Sequence, residues 1–166
     1  HMKNVLYKAA SWFAVIGGLL ALLIAVVTIV NVTAFGLDKI ARLFDANFPA
    51  IIGYEDFVSM IVSSAALMFF PYCQAHRGHV AVDVFIKMFP DGFARAIDVV
   101  SSILMTGLAL FLGYMMVNGL IEVRGDNTLS AILGWPIWPF YVPGIIAMFL
   151  WAAIAGTQIF EREADV

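Results

Sequence analysis

Charge is scarce in this sequence. Its 166 residues include only nine Lys and Arg and twelve Asp and Glu, 13% of the chain, where a soluble domain carries about 25%. The apolar share is 63%, against about 45–50% in soluble domains. So small a body is mostly surface and cannot hide that surplus inside, so the apolar side chains must face lipid. Net charge is −3, with no acidic or basic tract, which removes nucleic acid from the expected partners. Cysteine is nearly absent as well. Cys73 alone can form neither an intrachain disulfide nor a multi-cysteine zinc site, and it reads as a small apolar residue near a helix end.

Histidine is as rare. His1 and Met2 read as a cloning scar joined to a natural start at Met2, so His1 is set aside. That leaves His76 and His79 at one surface, with no third histidine, no Cys-X-X-Cys and Gly78 between them. A metal site needs further ligands, and a membrane b-type haem needs histidines on facing helices; no cofactor is expected. No Ser-His-Asp set, phosphate-cradling glycine loop or nucleophile elbow can be assembled, so the chain is not expected to be an enzyme.

What the sequence does have is long uncharged runs. Ala9–Leu37, Phe57–Ala75, Val99–Ile121 and Asn127–Phe160 contain no Asp, Glu, Lys, Arg or His. About 20 helical residues cross a hydrocarbon core of about 30 Å. The first run is too long for a signal-peptide core and has no small-residue cleavage site, so it reads as a retained span. The fourth must be trimmed, because Gly134-Trp135-Pro136-Ile137-Trp138-Pro139 breaks a helix. Its tryptophans suit the membrane surface, and Pro143 suits a first helical turn. The expected fold is an all-α integral membrane protein, one domain over residues 1–166 with spans at about 10–32, 55–74, 94–120 and 140–160. Lys3, Lys8, Arg77, Lys87, Arg95 and Arg162 lie on one side, and Lys39, Arg42 and Arg124 on the other. The positive-inside rule then places both termini in the cytoplasm.

Two connections read as short interfacial amphipathic helices. In the first, Leu37, Ile40, Leu43, Phe44 and Phe48 recur at helical spacing. In the second, His79, Asp83 and Lys87 form a polar stripe opposite Ala81, Val84, Phe85, Met88 and Phe89. Within the spans the polar residues are neutral, among them Asn31, Ser63, Ser64, Thr106, Asn118 and Thr157, and such residues commonly join helices. Ser63-Ser64-Ala65-Ala66 and Gly107 with Gly113 offer faces for close helix approach. Glu55 and Asp56 open the second span, where acids favour the helix dipole or meet a partner at the outer surface. A transport site normally shows an ionisable residue in mid-membrane, and these runs contain none.

Glu55, then Arg77-Gly78-His79-Val80-Ala81-Val82-Asp83 and Phe89-Pro90, resembles the small membrane subunit of TRAP transporters, the tripartite ATP-independent periplasmic systems. Trp135-Pro136 followed by Tyr141-Val142-Pro143-Gly144 is similar to that family's approach to its last helix. One departure is local: Asn31-Val32 is followed by Thr33-Ala34-Phe35, where family members often carry an arginine. The resemblance implies a non-catalytic subunit in the bacterial inner membrane. Its implied partners are a large elevator-type membrane subunit, a periplasmic substrate-binding protein and membrane lipids. It further implies sodium-coupled uptake of organic acids, with a slight lean to sialic acid, and a stationary scaffold role for this chain. Arg77, His79 and Asp83 are expected to fix the turn after span two. A scaffold for another membrane complex, a redox anchor and a self-sufficient small transporter are the alternatives.

Overall fold

The computed structural model describes residues 2–41, 52–76 and 91–164. The described residues are helical apart from one small hairpin and the turns. Helix α1 runs Met2–Ala41, α2 Tyr54–Leu67, α3 Phe70–Ala75, α4 Asp91–Gly125 and α5 Tyr141–Ala164, with a 3-10 turn Trp138–Phe140 leading into α5. Four segments are long and apolar enough to cross a membrane: Lys3–Ala41, Tyr54–Ala75, Val99–Gly125 and Trp138–Ile159. The charged residues of these segments fall near their ends, because a charge within the hydrocarbon is costly.

Three boundaries differ from expectation. Helix α1 does not give way to a separate interfacial helix after residue 32. It continues unbroken through Leu37 and Ile40 to Ala41. Asn31, Thr33 and Gly36 are weak helix formers near that point, but each costs about 1 kcal/mol or less and none ends the helix. Lys39 in the last turn suits the negative end of the dipole. Leu43, Phe44 and Phe48 lie outside the described residues, as does the whole stretch 79–89 expected to form the second interfacial helix. Span two is broken at Met68–Phe69 because Pro71, in the first turn of α3, has no N–H to give Leu67. Helix α4 passes the expected end at 120 and reaches Gly125.

Helix α5 is the hub. It packs along α4 most extensively, and also against α1, α2 and α3, while α1 lies chiefly on α2 and α3. The core is built from Met68, Ala109, Ala147, Met148, Trp151 and Ala152. Small residues let the backbones approach. A Cβ on Gly17 would lie 3.1 Å from the carbonyl oxygen of Ala65, and one on Gly144 2.6 Å from Met116 Cε. The outer helices are little covered: in the most apolar 18 residues of each span, 6% of the first and 11% of the third are buried within the chain, against 39% of the fourth. Helix α1 is also long. At 1.5 Å per residue its uncharged part measures about 43 Å, beyond a hydrocarbon core of about 30 Å, so it must tilt or thicken the bilayer around it.

Candidate functional site

The polar side chains in the spans divide between bonds on their own helix and bonds that join helices, as expected of part of them. The hydroxyls of Ser11, Ser59, Thr106 and Thr157 donate to carbonyls three or four residues earlier, a local bond that hydroxyl side chains make readily. Ser64, Gln74, Gln158 and Trp151 instead reach another helix or the turn before one. They form two joints at different heights of the bundle.

The first joint holds the segment before α5. Leu129 and Pro136 pair across a small hairpin, in which Ser130 N–H donates to Trp135 O at 2.8 Å and Trp135 N–H donates to Ser130 Oγ at 3.1 Å. Gly134 turns it with φ +65°. Asp56 anchors the hairpin: its carboxylate accepts from the N–H groups of Ile132 at 2.6 Å and Leu133 at 3.1 Å. Asp56 therefore serves the hairpin and makes no side-chain cap on its own helix. Gly53, at φ +86°, lies under Leu133, whose Cδ2 would sit 2.6 Å from an added Cβ. Phe57 meets Trp135 edge to face, centroids 6.5 Å apart. Further along, the Ser64 hydroxyl donates to the Phe140 carbonyl. From Asp56 to Ser64 is about 12 Å along α2, so residues 133–140 descend that far before α5 begins. None of the breaker cluster, Gly134 to Pro139, is buried within the chain.

The second joint is amide to amide. Gln74 Nε2 donates to Gln158 Oε1 at 2.7 Å, Gln158 Nε2 donates to the Gln74 carbonyl at 2.9 Å, and Trp151 Nε1 donates to Gln74 Oε1 at 3.1 Å. All three side chains are buried, and Phe70 stacks on Trp151 with centroids 5.0 Å apart. In a dry interior such groups must find partners, and here they find each other. The signal was available, since Gln74 and Gln158 are the only glutamines in the chain and both sit near the same-side ends of uncharged runs. Composition alone could not pair them.

The remaining expected site residues divide. Glu55 is exposed in the first turn of α2, and Pro143 sits half-buried in the first turn of α5 beside Gly144. Asp56 and Trp135 meet in the first joint. Arg77, His79 and Asp83 lie outside the described residues. Arg124, at the end of α4, places its guanidinium 5.3 Å from the Trp138 ring centroid. No group of His, Cys, Asp and Glu among the described residues could hold a metal ion.

The profile of the family described as "Tripartite ATP-independent periplasmic transporters, DctQ component" matches residues 32–164. The chain belongs to this family. No curated protein and no solved structure matches it. As a DctQ component it is the small component of a TRAP transporter and a multi-pass membrane protein. The DctQ match takes in both joints, the hairpin, and the stretch that carries Arg77, His79 and Asp83.

Proposed function

We propose that this DctQ component binds the large elevator-type subunit of a sodium-coupled organic-acid transporter, with sialic acid the favoured solute, and holds that subunit's scaffold still. The observation that carries this reading is a finished interior beside an unfinished exterior. Inside, spans two and four are joined by the Asp56–hairpin and Ser64–Phe140 bonds at one level and by the Gln74–Gln158–Trp151 bonds at another. Outside, Trp12, Val15, Leu19, Leu22, Val26 and Ile29 of α1 are each 55–68% exposed and recur at alternating three- and four-residue spacing. That spacing suits a seam against a second helix, and α1 is the face that seats on the large subunit.

An elevator needs a part that resists being dragged. The uncharged runs offer no ionisable group to bind or couple an ion, so this chain contributes position and the large subunit carries the transport site. The protein sits in the bacterial inner membrane with both termini cytoplasmic, which puts the hairpin end outside, toward the periplasmic binding protein. Arg77, His79 and Asp83 fix the turn after span two and support assembly. Two experiments test the proposal. Proteoliposomes with the large subunit and binding protein should lose sodium-driven uptake when this chain is omitted; unchanged uptake would end the scaffold reading. A cysteine at Leu22 should crosslink to the large subunit, and crosslinking only from α4 positions would move the seat to the other side.

A further inference from the structure

We infer that the groove between α2, α4 and the 3-10 turn is a phospholipid site, with one acyl chain in the groove and the phosphate beside Arg124. The inference rests on the helices crossing a bilayer and is independent of the transporter role. The groove has a volume of about 350 Å³, within the range of small-ligand sites. Met60, Leu67, Met116, Ile137 and Phe140 make its walls apolar. Three serines and Tyr141 also line it, and two of the serine hydroxyls are committed: Ser59 donates to Glu55 O at 2.6 Å and Ser64 to Phe140 O. Such a mainly apolar lining suits a hydrocarbon chain.

Its position suits one end of a lipid. Ser59 to Leu67 spans about 12 Å along α2, and Arg124 lies about 12 Å along α4 from Met116. Met116 and Leu67 both abut the Gly144 position, so they mark one depth and Arg124 stands at the mouth, about level with Ser59. Trp138, in the turn whose Phe140 lines the groove, meets the guanidinium at 5.3 Å. A ring contact of this kind leaves guanidinium N–H donors free for phosphate oxygens, and Arg124 has no carboxylate partner among the described residues. Glu122 lies two residues away and Asp126 just past the helix end, and residues two apart on a helix do not share a face.

Native mass spectrometry on the detergent-purified chain with added phosphatidylglycerol tests this. One phospholipid should remain bound. Arg124→Gln should weaken retention about five-fold, and Ser63→Phe, placed on an exposed lining position, should reduce it to background. Circular dichroism checks that each variant keeps its helices, and the surface variant Arg124→Gln carries the test if Ser63→Phe does not fold. Equal retention by wild type and both variants overturns the site. Equal retention of phosphate-free diacylglycerol overturns the placement of the phosphate. No retention by the wild type overturns the proposal and leaves the groove to a partner helix.

Discussion

Replacing Gln158 by leucine removes two hydrogen bonds from the buried joint, the 2.7 Å bond from Gln74 Nε2 and the 2.9 Å bond to the Gln74 carbonyl. It leaves both Gln74 groups facing an apolar side chain. A buried group stripped of its partner costs about 1–3 kcal/mol, so Gln158→Leu should destabilise by about that much. Gln74→Leu removes a different set: the 2.7 Å bond again, and the 3.1 Å bond from Trp151. The 2.9 Å bond survives, because its acceptor is backbone. The two substitutions thus share one bond, and the double variant should be more stable than their sum by that bond alone. Interhelical bonds of this kind average about 0.6 kcal/mol in bilayers and reach about 1.7. Titration from mild detergent into SDS, followed by circular dichroism, gives the three unfolding free energies. Additivity within about 0.3 kcal/mol would refute the claim that the two amides act as a unit.

Asp56→Ala should free the hairpin, and hydrogen exchange at the amides of Ile132 and Leu133 should quicken on the order of ten-fold; Asp56→Asn, which keeps one acceptor oxygen, should fall between. Gly53→Ala should cost about 1–2 kcal/mol from its positive φ alone, with more from Leu133, and should show as a lower thermal midpoint. Gly144→Ala meets only the flexible ends of Met116 and Leu67 and should cost about 1 kcal/mol, whereas Gly144→Leu should cost at least about 3 through overpacking. Cys73 is the only cysteine and lies within the second span. In a Cys73→Ser background the proposed orientation has a membrane-impermeant maleimide label Asn4→Cys in inside-out vesicles and not in intact spheroplasts, and the reverse pattern would invert the topology.

The helical architecture was legible because lipid punishes charge so heavily that a bare inventory of charged positions marks each span. Local breaks were legible only in part. Pro136 and Pro139 announced themselves by clustering, while Pro71, alone in an uncharged run, was passed over although it divides α2 from α3. Asp56 was legible as an acid in the first turn of α2, but nothing local indicates that its acceptors are also needed by amides 76 and 77 residues away. The glutamine pair failed for the same cause, since its contacts span 77 and 84 residues and side-chain depth is set by helix tilt. Of the small-residue faces, Gly113 packs against Met148 and Phe149, while Gly107 has open space around it. Periodicity tells which residues share a face, and only the neighbouring helices decide which face is used.

Span two and the last helix are fastened at two heights, about 15 Å apart along the helix axis from Ser64 to Gln74. Sliding one against the other by a single turn, about 5.4 Å, would tear both fastenings at once, and neither could re-form with the residues next in line. The pair therefore behaves as a rigid plate. Any shear that accompanies a neighbour's travel must be taken up on the outer faces, where aliphatic surface keeps no register and a slip leaves no polar group stranded.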